Sequence, residues 1–343
     1  MNSYPQRQSR KLKRRSRRLL TCVLRKHSTQ RENGLRHWLS ITLSSSAQTL
    51  MTRARKLSGA CASHTRNRLW HMRTVEWISL VLFSFFVTAS WFRSLSSRAR
   101  IAINVIAAIG ISLIIAVQFA DRVLPHLAVS VMRDWLPAPL MPMVYWQAGR
   151  FAGKPNERFQ EFLHGFDRAW LGNLLRGMAV RRSYRWISAS LELAYLSCYE
   201  LVPLGLGALY LAHMRRYVNE YWLVILSATY PCYVLTAFLP TRPPRELERE
   251  PAPRHPRKIR ALNMWIVRHL SHHLNTFPSA HVTATLGGSL VLMRHAPVIG
   301  FAFLLASIGI SFGAVTGRYH YAADVIVAVA VAVTVFAINV FFT

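Results

Sequence analysis

The chain is short of acid. Its 343 residues hold 14 Asp and Glu against 43 Lys and Arg, a net charge of +29. Charged residues of both signs make up only 17%, below the roughly 25% of an ordinary soluble domain, which argues against a wholly soluble protein. Cysteine is scarce as well. Cys22, Cys61, Cys198 and Cys232 lie far apart with no paired spacing, so neither a zinc pattern nor a disulfide framework follows. There is no glycine-rich phosphate loop and no internal repeat, which removes the usual nucleotide cradle and the solenoid architectures.

What is present is uneven. Residues 1–75 carry 18 of the Lys and Arg and a single acid, Glu32, so a basic, Ser-rich leader precedes an apolar body. Three readings of residues 1–71 stand side by side: a disordered cytoplasmic tail suited to touch anionic lipid headgroups, an organelle transit peptide, or a segment upstream of a true start at Met72. A specific nucleic-acid role requires ordered placement of the basic residues, and no such pattern is seen.

Apolar runs dominate the remainder. Trp77–Phe92, Ile101–Ala120, Trp186–Met214, Trp222–Pro240, Val282–Met293, Val298–Thr316 and Ala322–Phe342 each approach the length that crosses a hydrocarbon core of about 30 Å. Residues 124–147 are ambiguous, because Arg133, Asp134 and four prolines interrupt an apolar stretch. The expectation is an all-α, polytopic membrane bundle of seven to eight spans. In it, residues 72–147 form N-terminal membrane helices, 148–185 an amphipathic interfacial segment, and 186–343 the catalytic membrane core.

Three polar clusters sit at the ends of these runs, where polar residues are expensive and tend to be functional. The first is Leu239-Pro240-Thr241-Arg242-Pro243-Pro244-Arg245, in which two guanidinium groups flank a rigid Pro-Pro. Planar guanidinium groups match phosphate oxygens, and they also anchor helix ends at headgroups. The second is Thr276-Phe277-Pro278-Ser279-Ala280-His281. Ser279 is placed to cap the next helix, and His281 sits in its first turn, where it can pass a proton to a leaving group. The bland alternative is a capped helix with an interfacial His. The third is Gly317-Arg318-Tyr319-His320-Tyr321-Ala322-Ala323-Asp324. His320 and Asp324 are four apart, which predicts one helical face and a carboxylate that fixes the imidazole tautomer; a plain helix-start Asp is the alternative. The first cluster closes one helix, the second opens the next, and the third lies two passes later, so all three are expected on one face.

In this order, Arg-Pro-Pro-Arg, Pro-Ser-x-His and His-x-x-x-Asp resemble the type 2 phosphatidic acid phosphatase superfamily, also called the lipid phosphatase/phosphotransferase family. The resemblance covers about residues 100–343, and Thr-Phe-Pro-Ser-x-His-Val with Arg-Pro-Pro-Arg is similar to the branch that includes inositol phosphorylceramide synthase-like proteins. It implies that His320 attacks phosphorus and forms a phosphohistidine, that Asp324 orients it, and that His281 protonates the leaving alcohol. It implies further that Arg242, Arg245, Ser279 and Arg318 hold the phosphate oxygens, that no metal or organic cofactor is needed, and that the partner is a lipid phosphate. Two positions depart from the family pattern: Leu235 stands where a Lys is usual, and Ala314 where an Arg is usual. His269, His272 and His273 lack an accompanying carboxylate and read as loop or interfacial residues. Lysine and arginine counting places the leader in the cytoplasm. If 124–147 does not cross, the active face is cytoplasmic as well; with eight spans it is outward, as in bacterial relatives in the cytoplasmic membrane, and in either case Arg93, Arg98 and Arg100 fall outside and run against the charge rule. Hydrolysis of a phosphomonoester or diphosphate, transfer of a phospho-headgroup to a lipid alcohol, and a non-catalytic transporter or scaffold remain as the three functional readings.

Overall fold

The computed structural model describes residues 72–180, 185–247, 257–272, 274 and 277–343. The readings of the leader, of His273 and of Thr276 fall outside the described residues. Every regular element among the described residues is helical. In chain order these are α1 (Thr74–Ala89), α2 (Ser97–Ala120), α3 (His126–Trp135), α4 (Pro137–Gly149), α5 (Glu157–Val180), α6 (Arg185–Leu196), α7 (Cys198–Leu211), α8 (Val218–Phe238), α9 (Pro244–Leu247), α10 (Arg257–Leu270), α11 (Ala280–His295), α12 (Pro297–Thr316) and α13 (Ala322–Phe342).

Local chemistry sets many of these ends. Glu76 in the first turn of α1 reaches back to the Arg73 amide at 2.9 Å, and Ser96 accepts from the Ala99 amide ahead of α2; both satisfy orphan N–H groups. The ambiguous stretch resolves into two helices joined at Leu136, with Pro137 in the first turn of α4, where it costs nothing. The long run from Trp186 breaks at Ser197 into α6 and α7, bent by 63°. There the Ser197 hydroxyl donates to the Ala194 carbonyl at 2.6 Å, a side-chain bond that competes with the helix ladder.

By length and apolarity, four helical stretches can cross a membrane: Ser97–Ala120, Arg215–Phe238, Pro297–Thr316 and Ala322–Phe342; the bent α6–α7 pair makes five if counted as one span. That is fewer than the seven apolar runs of the sequence. The difference lies mainly in α1 and α11, which are 16 residues each, or about 24 Å at the helical rise. The several apolar helices make this an integral membrane protein.

α11 is the central element. It packs against α12, α8, α13 and α7, and Gly287, Gly288 and Ser289 along it are all buried. Small residues allow such close approach between helices in lipid, and the Ser289 and Ser307 hydroxyls bridge α11 to α12 at 2.8 Å. Gly313 of α12 answers the same need, since a Cβ there would lie 2.4 Å from the Leu191 carbonyl of α6.

The two ends of the bundle differ. At one, Asp134 is 3% exposed and takes Arg73 and Arg215, each at 2.6 Å, and the Tyr210 hydroxyl at 2.5 Å. Close by, Gln118 bonds Glu76 at 2.7 Å. Glu220 similarly receives Arg294 at 3.1 Å and pairs with His295 at 2.8 Å. These contacts gather the starts of α1 and α8 with the ends of α2, α7 and α11. At the other end, Phe151 packs on Phe86 with ring centroids 5.3 Å apart, and the Asn156 amide donates to the Pro240 carbonyl at 2.8 Å. That end brings together the ends of α1, α4 and α8 and holds every candidate site residue.

Asp134→Ala leaves two guanidinium groups facing a pocket without their carboxylate. A loss of about 3 kcal/mol is expected, read as a lowered Tm in detergent. Arg216→Ala, which removes a contact over the Tyr217 ring, is the control and shifts Tm little.

Candidate functional site

His320 lies outside a helix, in the turn of residues 317–321 that precedes α13. The four-residue spacing to Asp324 therefore works through a cap rather than a shared helical face. Asp324 is the third residue of α13; its Oδ2 accepts from the Tyr321 amide at 3.0 Å and pairs with His320 Nδ1 at 3.3 Å. A carboxylate on Nδ1 sets the tautomer in which the lone pair lies on Nε2. The turn is tied back to α12, because the Tyr319 and His320 amides both donate to the Ala314 carbonyl. Arg318 adopts φ of 61°, the left-handed conformation this tight reversal requires.

His281 occupies the first turn of α11, and its ring faces that of His320 with centroids 6.4 Å apart and planes at 77°. Tyr199 and Tyr195 pack on it edge-on, at 5.1 and 6.2 Å, and fix the ring without engaging it in an ion pair. Ser279 holds the cap position by sequence, but its hydroxyl does not cap. Its Oγ is buried and accepts or donates no hydrogen bond among the described residues, while its amide donates to the Asp324 carbonyl at 3.3 Å. The expected side-chain cap is thus replaced by a backbone link between the starts of α11 and α13, and the hydroxyl is left spare.

The Arg-Pro-Pro-Arg arginines separate. Arg245 is half-buried and lies 5.6 Å over the Tyr319 ring; its Nη1 donates to the Tyr319 carbonyl at 3.4 Å and its amide to the Arg318 carbonyl at 3.3 Å. Burial lowers its pKa, and it is ion-paired with no carboxylate among the described residues. Arg242 is exposed. Its backbone does the holding, with the amide on Gln160 at 3.0 Å and the carbonyl taking the Tyr321 hydroxyl at 3.0 Å. Arg318 is half-buried, and burial also lowers its pKa, against the opposing field of Asp167.

Arg245, His281 and His320 line a cavity of about 330 Å³ that continues into the bundle. Two residue sets behind it were not singled out from the sequence. Asp167 on α5 accepts from the Ala322 amide at 2.9 Å and so satisfies the first turn of α13 beside His320. Glu192 on α6 takes Arg260 at 2.6 Å, Asn263 at 2.8 Å and the Tyr319 hydroxyl at 2.8 Å, which fastens α10 and the 317–321 turn to the bundle. An acid inside an apolar run was the available signal for Glu192. Its partner, 68 residues away, was not legible. No group of three or more His, Cys, Asp or Glu among the described residues is arranged to hold a metal ion. His269 instead engages the Trp265 carbonyl of its own helix at 2.8 Å, and His272 packs on Tyr145 with centroids 5.2 Å apart.

Burial pushes the Asp167 carboxyl up to about 6, with the hydrogen bond from Ala322 opposing. The folded protein therefore holds a proton at Asp167 that the unfolded chain has released by about pH 4 to 5. Stability from this group falls as pH rises from about 4 to 6 and stays low above that. Asp167→Asn keeps an oxygen for Ala322 without the charge. It is expected to flatten that slope and to raise stability at pH 7 by roughly 2 kcal/mol, measured as Tm against pH beside the wild type.

Searches of curated proteins and of solved structures returned no match. A comparison with protein families returned the PAP2 superfamily over residues 161–338. That range takes in Arg242, Arg245, Ser279, His281, Arg318, His320 and Asp324, together with Asp167, Glu192 and Arg260. It spans just over half of the chain, and the chain belongs to the PAP2 superfamily, whose members point to phosphatase- or phosphotransferase-type chemistry.

Proposed function

We propose that the protein is a membrane lipid-phosphate phosphatase that works through a phosphohistidine. The observation that carries this reading is the pair of imidazoles 6.4 Å apart at one end of an apolar cavity, one of them backed by a buried carboxylate. His320 Nε2 attacks phosphorus as the bond to the lipid oxygen breaks. His281 supplies the proton to that oxygen, so the leaving group departs as an alcohol. Asp324 holds the His320 tautomer and balances the imidazolium. His281 then takes a proton from water, whose oxygen displaces His320 and releases inorganic phosphate. Arg245, Arg318, Arg242 and the spare Ser279 hydroxyl hold the phosphate oxygens and the charge that builds in the transition state. The chemistry asks for no metal and no organic cofactor.

A second reading, transfer of a phospho-headgroup to a lipid alcohol, is favoured by the likeness of Thr276-Phe277-Pro278-Ser279-Ala280-His281-Val282 to the inositol phosphorylceramide synthase-like branch. It uses the same groups with an acceptor alcohol in place of water.

In the same proposal the chain crosses the membrane eight times, as α1, α2, α3–α4, α6–α7, α8, α11, α12 and α13. The grouping of helix starts and ends around Asp134 and Glu220 supports alternating passes, and the backbone bonds that run on through Leu136 between α3 and α4 support reading 124–147 as a crossing. α5 and α10 lie along the membrane surface at the site end. The basic leader favours a cytoplasmic N-terminal side, which turns the site outward across a bacterial cytoplasmic membrane.

His320→Ala is expected to lower phosphate release from phosphatidic acid by a factor of about 10⁴ or more, and His281→Ala by about 10² to 10⁴. EDTA is expected to leave the rate unchanged. Wild type incubated with labelled substrate and quenched in alkaline detergent should carry base-stable, acid-labile phosphate that His320→Ala lacks. Wild-type turnover in His320→Ala would sink the mechanism.

A further inference from the structure

The cavity behind the histidines is deeper than phosphate chemistry needs, and its walls are regular. On α4 it is lined by Ala138, Met141, Pro142, Tyr145 and Trp146, which are one helical face by their i, i+3, i+4, i+7, i+8 spacing. Across α6 and α7 it is lined by Tyr195, Cys198, Tyr199, Val202 and Pro203, the same spacing carried through the bend. α8 contributes Thr236 near the site and Trp222 far from it. Fourteen residues of helix separate these two, or about 21 Å of depth, against about 30 Å for a hydrocarbon core.

The far end is lined by Trp222 and Ala138. Trp222 donates its indole N–H to the Asp134 carbonyl at 2.7 Å, and Ala138 stands in the first turn of α4 beside it. The near end opens on Arg245, His281 and His320. From top to bottom the cavity is therefore a charged head followed by an apolar, aromatic-walled slot with a floor. At about 330 Å³ it sits at the small end of ligand cavities, about 300 to 1,000 Å³, which is room for a head and one chain.

Resting on the phosphate-transfer reading of His281 and His320, we infer that the substrate is a phosphate ester of a single long hydrocarbon chain. That chain threads down the slot between α4, α7 and α8, and Ala138 and Trp222 set the length accommodated. Burial of each methylene in the slot then strengthens binding until the chain meets the floor, and a longer chain gains nothing more. A diacyl lipid such as phosphatidic acid fits with only one chain in the slot and is the poorer substrate.

The test uses the full chain reconstituted in phosphatidylcholine nanodiscs. Turnover of alkyl phosphates from hexyl to hexadecyl is measured together with binding of the matching alkyl phosphonates, which lack the scissile ester. Wild type is compared with Ala138→Phe and Val202→Phe at every length, so that partitioning of the ligand into lipid cancels. The expected result is that kcat/KM and affinity climb with length and then level. In Ala138→Phe the levelling moves to shorter chains, and the dodecyl-to-hexyl ratio of kcat/KM falls about tenfold or more; Val202→Phe answers the same question should Ala138→Phe fail to fold. Unchanged length dependence in a folded variant overturns the slot. Length-dependent phosphonate binding without turnover keeps the slot and overturns the phosphatase reading. Turnover whose length dependence neither variant moves does the reverse, and neither binding nor turnover overturns both.

Discussion

The Asp324 carboxylate, fully buried at the head of α13, is the constraint on which the rest depends. A buried charge is costly unless it is paired and hydrogen-bonded. Here one oxygen answers both the Tyr321 amide and His320 Nδ1. That bond is at once a helix cap and the orienting contact of the proposed nucleophile, so the conformation of the 317–321 turn and the aim of the imidazole cannot be separated. The backbone of the same residue extends the coupling, because its carbonyl receives the Ser279 amide and so registers the start of α11 against the start of α13. His281 is two residues beyond that link. The spacing between the two imidazoles therefore follows from one residue's backbone and side chain acting on two helix starts.

Around this joint the chain sets a polar frame to which α5 and α10 contribute. Asp167 of α5 holds the Ala322 amide, and Asn263 and Arg260 of α10 hold Glu192, which in turn holds Tyr319. Tyr319 stacks on Tyr195 with centroids 4.0 Å apart, and Tyr195 packs against His281. Each contact is modest alone, but the chain Glu192–Tyr319–Tyr195–His281 joins a buried ion pair to the second imidazole. An acid inside an apolar bundle is costly unless it is paired and hydrogen-bonded, and Glu192 is met at both carboxylate oxygens.

The helical class and most of the site were legible in the sequence, for different reasons. Apolar runs announce helices by composition, which does not depend on what they pack against. His281, His320 and Asp324 were legible because polar residues at the ends of such runs are expensive. What was not legible depends on pairings distant in the chain. The carboxylates of Asp167 and Glu192 acquire meaning only when Ala322 and Arg260 are brought to them. The break at Ser197 came from a side-chain bond that composition does not register, and residues 124–147 became helical because Pro137 fell at a first turn. The His320–Asp324 contact was anticipated by an argument from helix periodicity, although the geometry that makes it is a cap.

The arginines sort themselves by partner, and that sorting bears on the two departures from the family pattern. Arg73, Arg215, Arg260 and Arg294 each meet a carboxylate within 3.1 Å; their charge is spent on holding helices, and little of it reaches an incoming anion. Arg245 is different. It is half-buried, rests on the Tyr319 ring and a carbonyl, pairs with no carboxylate among the described residues, and faces the cavity with both histidines. A cation kept in that state suits an incoming anion, which is the role given to it in the proposed phosphate chemistry. Leu235 and Ala314 stand where the family usually carries Lys and Arg. Ala314 spends its carbonyl on the turn that holds His320, and a bulky cation at that fully buried position would press against the same turn. Placing the guanidinium on the rigid Pro-Pro segment instead lets the charge reach the cavity along the Tyr319 ring and carbonyl and leaves the Ala314 carbonyl to the turn that holds His320.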